Sequence, residues 1–154
     1  MSEIKVKKTK KRDYFYAIGR RKSSVARVRI YSSVSEGQKW GEEEVKKGQI
    51  LVNKAPIEKY FSGPVAKAIY TKPLNLTSTG EKYAILVKIV GGGKNGQLEA
   101  LVHGLSRVLA SINKEKYRPV LKSAGLLTRD ARVRERRKVG TGGKSRRKKQ
   151  SPKR

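Results

Sequence analysis

Residues 83–112 have the sequence YAILVKIVGGGKNGQLEALVHGLSRVLASI, which joins two strong secondary-structure patterns. In residues 83–90, apolar side chains occupy both alternating faces except at Lys88, and this predicts a strand inside a sheet. In residues 97–112, apolar side chains recur at spacings of three and four, and this predicts an amphipathic helix. The buried stripe of that helix is expected to contain Leu98, Leu101, Val102, Leu105, Val108, Leu109 and Ile112. A glycine-rich loop therefore connects an inner strand to the main helix.

The flanking segments predict the other elements of one α+β domain. Strands are expected at 14–19, 25–31 and 49–53, and short helices at 57–61, 64–70 and 117–124. The second short helix is expected to end near Pro73, and the polar residues 33–48 are expected to form a loop or a short irregular excursion. Because these four strands and the helices do not alternate strictly, the pattern favours α+β over doubly wound α/β.

Basic residues are concentrated at the two ends of the chain. The 154 residues include 39 Lys and Arg against 12 Asp and Glu, a formal net charge of +27. Residues 129–154 hold 13 basic and 2 acidic side chains but only three aliphatic ones, so they cannot form a core alone. We predict a basic N-terminal extension at 1–13, a globular domain at 14–128 and an extended basic tail at 129–154. The tail is expected to become ordered against a nucleic acid, with a generic solubilising role as the alternative.

The composition argues against several classes of protein. A charge of this size attracts polyanions and is not that of an ordinary metabolic enzyme. The absence of cysteine excludes disulfides, thiolate catalysis and cysteine-based zinc sites. No apolar run approaches the ~18 residues of a membrane span, and no segment has the two-sided character of a membrane-surface helix. We therefore expect no membrane partner.

The glycine-rich loop formally matches the dinucleotide-binding pattern G-x-G-x-x-G at Gly91, Gly93 and Gly96. That fold needs a second parallel strand carrying an acid, and the polar residues after Ile112 do not form one. A phosphate-binding loop of the Walker type would need Lys and Ser or Thr where Gln97 and Leu98 stand. Two interpretations stay open, namely a plain strand-to-helix turn and a contact with a nucleic-acid phosphate at the helix N-terminus.

Other polar and aromatic residues have simple interpretations. His103, the only histidine, is expected to make a structural hydrogen bond or an RNA contact, and the neighbouring Gly104 is expected to allow close packing. Glu42–Glu44 is expected to be a solvated acidic run rather than a metal site. Residues 14–16 offer aromatic rings, but the 6% aromatic content favours phosphate contacts by Lys and Arg over base stacking. We expect no catalytic residue, cofactor, metal or small-molecule substrate.

Several short motifs follow one another in a fixed order along the chain. They are YAIGRRKSSVARV at 16–28, ILVN at 50–53, YF at 60–61, GGG at 91–93 with Gly96-Gln97, Ala100 with His103-Gly104, LK at 121–122, GLLTRD at 125–130, ERRK at 135–138 and the terminal Lys153-Arg154. This ordered set resembles the small-subunit ribosomal protein S-nine family in its bacterial type. The resemblance covers residues 14–154.

The resemblance implies a fold and a place of action. The fold would be a small, mostly antiparallel sheet backed by two main helices, with a long basic C-terminal tail. The protein would be a non-enzymatic structural constituent of the cytoplasmic ribosome, bound to ribosomal RNA in the head of the small subunit beside other head proteins. The tail would reach the peptidyl-site tRNA, and by position Lys153 and Arg154 would contact it.

Basic residues in the first hairpin, the second strand, the glycine-rich loop and the tail are the expected contacts with ribosomal RNA. They are Arg20, Arg21, Lys22, Arg27, Arg29, Lys94, Arg129, Arg132, Arg134, Arg136, Arg137, Lys138, Lys144, Arg146, Arg147, Lys148 and Lys149. An alternative is a free-standing basic nucleic-acid chaperone or architectural binder. A third hypothesis, an enzyme using the glycine-rich loop for a nucleotide, is disfavoured by the missing second strand and the lack of an acid/base pair.

Overall fold

The computed structural model describes residues 13–33, 39–41, 43–139 and 143 of the chain. Its strands are β1 (Tyr14–Arg21), β2 (Ser24–Tyr31), β3 (Lys39–Trp40), β4 (Glu43–Glu44), β5 (Ile50–Val52), β6 (Ala55–Pro56) and β7 (Ala84–Val90). Its helices are α1 (Ile57–Tyr60), α2 (Pro64–Thr77), α3 (Lys94–Ile112) and α4 (Lys114–Ser123). The predicted α+β class is confirmed, and the predicted N-terminal extension lies outside the described residues except at Asp13.

Five strands form one mixed sheet in the order β1-β2-β7-β5-β6. All neighbours are antiparallel except β5 and β7, which are parallel and are joined through α1 and α2. As predicted, β7 is an inner strand, and both of its faces are buried except at Lys88 and at its last residue. The short β6 makes five strands where four were expected, because Asn53 and Lys54 both adopt positive φ and form a two-residue hairpin turn.

The main core lies between one face of the sheet and α3. Alternate residues of β2 and β7 face it, and the predicted stripe of α3 is buried against them. Strand β1 and α3 approach each other closely at Gly19 and Gly104. A Cβ atom on Gly19 would lie 2.8 Å from the Cα of Gly104, so the strand and the helix are in contact through their backbones. The expectation that Gly104 allows close packing is confirmed.

The opposite face of the sheet is partly covered by the segment expected to be a loop. Strands β3 and β4 form a short antiparallel ladder there, and Trp40 packs on a second apolar cluster. That cluster contains Val45, Leu51, Ala84 and Leu86. Residues 34–38 and 42, including part of the acidic run, lie outside the described residues.

Three helix boundaries differ from the sequence prediction by three residues or more. Helix α4 begins at Lys114 rather than at residue 117, because the side chain of Asn113 caps it by accepting a hydrogen bond from the N–H of Lys116 at 2.9 Å. Helix α2 continues through Pro73 to Thr77, although a proline removes one backbone hydrogen bond. Pro73 and Leu74 are buried in the core, and this packing outweighs the lost bond. Helix α3 begins at Lys94 rather than Gln97, because the N–H of Gln97 already donates to the carbonyl of Gly93 at 2.9 Å.

Candidate nucleic-acid interface

The first hairpin brings the glycine-rich loop against its tight turn. Strand β1 extends to Arg21, so the turn contains only Lys22 and Ser23. Gly91 and Gly92 adopt positive φ, and a Cβ on Gly91 would lie 2.5 Å from the carbonyl oxygen of Ser23. Gly91 and Gly92 therefore allow a tight turn that packs on the hairpin. This agrees with the interpretation of the loop as a strand-to-helix turn.

A cavity of about 360 Å³ lies between this turn and the start of α3, lined by Lys22, Ser24, Gly92, Lys94 and Asn95 among others. The ammonium group of Lys94 donates to the carbonyl of Tyr60 at 3.1 Å and lies 3.8 Å from the centre of that ring. Lys94 is also the first residue of α3, so it adds positive charge to the segment that carries the free amide groups of the helix N-terminus. The arrangement offers a phosphate both positive charge and backbone donors, so the second open interpretation stays a proposal.

Arg20 and Arg21 are adjacent in β1 but lie on opposite faces of the sheet, because side chains alternate along a strand. Arg20 is exposed, whereas Arg21 is 9% exposed. The guanidinium of Arg21 is paired with Glu99 of α3 and with Asp130, the latter at 3.2 Å. It also donates to the carbonyl of Arg132 at 2.5 Å. Arg21 therefore joins the hairpin to α3 and to the root of the tail. We call Arg21, Glu99, Asp130 and Arg132 together the tail clamp.

Asp130 is held in its charged form within the tail clamp. The side chain and the backbone N–H of Arg132 donate to its carboxylate, at 2.7 and 2.9 Å. These hydrogen bonds, helped by the charges of Arg132 and Arg21, hold the pKa of Asp130 well below its usual range. Asp130 therefore stays charged and paired with Arg21 at neutral pH.

His103 and Arg107 of α3 cover the free edge of β1. The backbone N–H of Arg20 donates to Nδ1 of His103 at 3.4 Å, and Arg107 donates to the carbonyl of Ile18 at 2.5 Å. An uncovered edge strand can pair with another chain, and these side chains occupy its polar groups. Burial and the nearby charges of Arg107 and Arg129 lower the pKa of His103 below its ordinary 6.5. The neutral ring that accepts a hydrogen bond is thus favoured.

The second strand carries a separate basic surface. Arg27 and Arg29 are exposed on the face of the sheet opposite α3, and the register places Lys88 of β7 beside Arg27. The guanidinium of Arg29 lies 5.3 Å from the centre of the Tyr14 ring. This surface is exposed to solvent and has no acidic side chain directly paired across it in the described strands.

No helix or strand follows Ser123 in the described residues, so the described part of the tail contains neither. Residues 134–139 and Gly143 enclose a cavity of about 430 Å³ lined by Arg134, Arg136, Arg137 and Lys138. The other predicted tail contacts lie outside the described residues, namely Lys144, Arg146, Arg147, Lys148, Lys149, Lys153 and Arg154.

Sequence reasoning missed Arg107 as a member of this interface. It lies four residues after His103 and four before Ser111, so the three share one side of α3 away from the apolar stripe. That spacing was a usable signal. Charge alone predicts an RNA contact for Arg21, and only the burial of its side chain distinguishes it from Arg20.

A family model described as "Ribosomal protein S9/S16" matches residues 19–154. The chain belongs to this ribosomal protein family. It is 44% identical over 131 residues to "Small ribosomal subunit protein uS9" of Solidesulfovibrio magneticus, covering 85% of this chain and 90% of that protein. It is 45% identical over 132 residues to the protein of the same name from Maridesulfovibrio salexigens, covering 86% and 91%.

Membership of this family fixes the general role. The chain is a structural, RNA-binding protein of the cytoplasmic ribosome that acts in translation, and it is not an enzyme. Among the described residues, no group of three or more acidic or histidine side chains is placed to hold a metal ion. Within the same residues, none of the helices has the length and hydropathy of a membrane-spanning segment.

Proposed function

We propose that the chain is a constituent of the small ribosomal subunit that binds ribosomal RNA of the subunit head and reaches the peptidyl-site tRNA with its tail. The small-subunit assignment is supported by the names of both relatives. The globular domain at 14–128 anchors the protein, and the tail at 129–154 extends from it. Other proteins of the head are its protein neighbours.

The observation that carries this proposal is the convergence of separate basic segments at one end of the domain. Lys22 and Lys94 line one cavity there, and Arg21 ties the root of the tail to the same end of β1. Repulsion between these charges is acceptable when a polyanion neutralises them. A phosphate backbone can follow this surface without any base being read.

Within the proposal, the basic residues have two roles. Contact with ribosomal RNA is assigned to the exposed Arg20, Lys22, Arg27, Arg29 and Lys94 of the domain. From their place in the sequence, the basic residues of the tail from Arg129 to Lys149 are assigned to it as well. Arg21 has its guanidinium occupied by protein groups, so we assign it to positioning the tail. This changes the role given to Arg21 on sequence alone.

The tail is long enough for a distant contact. Its 26 residues span up to ~85 Å at ~3.3 Å each when extended. Lys153 and Arg154 follow Pro152, which restricts local bending. A terminal pair of cations can bind a tRNA phosphate without sequence readout, so it would serve every tRNA alike.

Cofractionation and salt dependence test the ribosomal RNA assignment. The full chain should be stoichiometric with small subunits after a high-salt wash, whereas a free-standing chaperone should wash off. Deleting residues 133–154 leaves the tail clamp intact and removes eleven basic residues. The slope of log affinity against log salt should then flatten by several units, at about 0.7–0.9 per phosphate contact. An unchanged slope would mean that the tail does not bind RNA.

A matched pair of double variants tests the tRNA assignment. Replacing Lys153 and Arg154 by Gln should leave subunit assembly intact and weaken peptidyl-site tRNA binding by up to roughly 1.5–3 kcal/mol for each lost charged hydrogen bond. Replacing Lys148 and Lys149 by Gln removes the same charge from residues assigned to ribosomal RNA, so tRNA affinity should not change. Equal tRNA affinity in the two variants would refute the assignment.

A further inference from the structure

A groove lies beside the free edge of β1, the outermost strand of the sheet. Its volume is about 550 Å³, within the range of pockets that hold small ligands. We call it the edge groove. Its lining includes Tyr16, Ile18, Arg20, Arg107, Ser111 and Arg129. These residues come from β1, from α3 and from the root of the tail, so only the folded chain assembles them.

The edge groove is strongly cationic. Its lining contains Arg20, Arg107 and Arg129 and no acidic residue, and none of the three arginines forms an ion pair within the described residues. Arg107 directs one of its donors at the carbonyl of Ile18, which leaves further donors on its guanidinium. Three unpaired guanidinium groups repel one another, and a bound phosphate would neutralise them with two-point hydrogen bonds.

The backbone of β1 adds a donor to this groove. The N–H of Arg20 and the carbonyl of Ile18 both point away from β2, toward α3 side chains. In an antiparallel pair, alternate residues direct their polar groups to the same side. The N–H of Tyr16 therefore points to the free edge as well, where an anion can accept its hydrogen bond.

The ring of Tyr16 distinguishes a nucleotide from a bare phosphate. Tyr16 is 38% exposed, and its ring has no aromatic or cationic partner among the described residues. Tyr14, two residues earlier on the same face, instead packs 5.4 Å from Tyr31 and under Arg29. An exposed aromatic face beside a cluster of arginines is the arrangement that stacks an unpaired base while its phosphate is held.

We propose that the edge groove binds one unpaired nucleotide of RNA, with its phosphate at Arg107 and Arg129 and its base against Tyr16. This rests on the proposed function, since ribosomal RNA is the RNA within reach. Because Arg129 begins the tail, the bound nucleotide also ties the tail root to the edge of the sheet. The occupant is a nucleotide outside a double helix, since a paired base does not expose its face.

The test uses the full-length protein bound to small-subunit ribosomal RNA. Short-wavelength irradiation should crosslink Tyr16 to a single unpaired nucleotide, identified by mass spectrometry. Tyr16→Leu should weaken binding roughly five- to hundredfold, the worth of one base–aromatic stack, and Tyr16→Phe should restore it. Phe15→Leu removes a ring that is 40% exposed on the other face of β1, so it is the matched control and should change affinity less than twofold.

Arg107→Gln tests the phosphate contact separately. It should flatten the salt dependence by about 0.7–0.9 units, one phosphate, whereas Lys72→Gln on the exposed side of α2 should not. If the wild-type protein binds ribosomal RNA but the crosslink is absent and both groove variants bind like the wild type, the edge groove is not a nucleotide site and the proposed function stands. If the wild type does not bind ribosomal RNA, both proposals fail. Tyr16-dependent binding of an acidic peptide in place of RNA would also overturn the nucleotide assignment.

Discussion

Replacing Arg21 by Gln should loosen the root of the tail and destabilise the domain. Arg21 is the only residue of β1 that contacts the tail through ion pairing in the described part of the chain, and its side chain is 10% exposed. Glutamine is shorter and uncharged, so it cannot reach Glu99, Asp130 and the carbonyl of Arg132 together. The variant therefore removes every contact that ties β1 to the rest of the tail clamp and leaves only the local pair of Asp130 with Arg132.

The expected loss follows from the exposure of the partners. Breaking a fully buried ion pair costs about 3–5 kcal/mol, and an exposed pair is worth at most about 1 kcal/mol. Here the arginine is buried, but Glu99 is 52% exposed and can be hydrated when it loses its partner. We expect Arg21→Gln to lower the free energy of unfolding by about 2 kcal/mol. For a domain of this size that corresponds to a fall in Tm of about 8 °C.

Thermal melting and limited trypsin digestion measure the two effects. Arg21→Gln should lower the Tm and speed cleavage after Arg132 and Arg134, because the tail root is released. Arg20→Gln is the matched control, since it removes the same charge from the adjacent, exposed position. Arg21→Lys should be intermediate, because an ammonium group cannot replace the planar fork. If the two Gln variants melt and are cleaved alike, the tail clamp does not exist.

Three further substitutions test the packing around the interface. Gly104→Ala should destabilise the domain by roughly 1–3 kcal/mol in urea unfolding despite the better helix propensity of alanine, because the new methyl would lie 3.1 Å from the backbone nitrogen of Gly19. The free energy of unfolding should fall as the pH drops below 6.5, because His103 is protonated more readily in the unfolded chain than in the folded one, where its ring accepts a hydrogen bond from Arg20. A His103→Gln variant should lose less stability than the wild type between pH 7.5 and pH 5. Asn53→Ala should lower the free energy of unfolding by about 1–3 kcal/mol in the same assay, because the side-chain amide of Asn53 accepts from the N–H of Ile89 at 2.9 Å and donates to its carbonyl at 3.1 Å. An unchanged stability would refute this.

The sequence predicted those elements whose hydrophobic pattern is long and regular. Periodicity predicts the inner strand at 83–90 and the stripe of α3. Both are buried except at Lys88 and Val90 of the strand, while Tyr83 and Ile112 at their outer ends are half-buried. The short strand β6 was missed, because two residues carry no periodicity. Its turn depends on Lys54 adopting a positive φ, which a lysine side chain does not signal.

The interface was only partly predictable for a different reason. Charge identifies which segments bind a polyanion, but not which cation the fold uses internally. Arg20 and Arg21 are adjacent and chemically identical. Their side chains lie on opposite faces of the sheet only because β1 continues two residues beyond its predicted end. That extension sets the alternation at the hairpin, so it decides which arginine faces Glu99 and which faces solvent.

The tail clamp has a consequence for the far end of the tail. A flexible coil of 26 residues has a root-mean-square end-to-end distance of about 30 Å, roughly a third of its extended reach. Fixing the root direction alone therefore cannot hold the terminal Lys153 and Arg154 at a distant phosphate. Under the proposed function, each ribosomal RNA phosphate bound by the tail shortens the part of the tail that is still free. The contacts nearest the C-terminus then determine the position of Lys153 and Arg154. If so, Arg21→Gln should change tRNA binding on assembled subunits much less than it changes cleavage at Arg132, because ribosomal RNA re-fixes the path beyond the clamp.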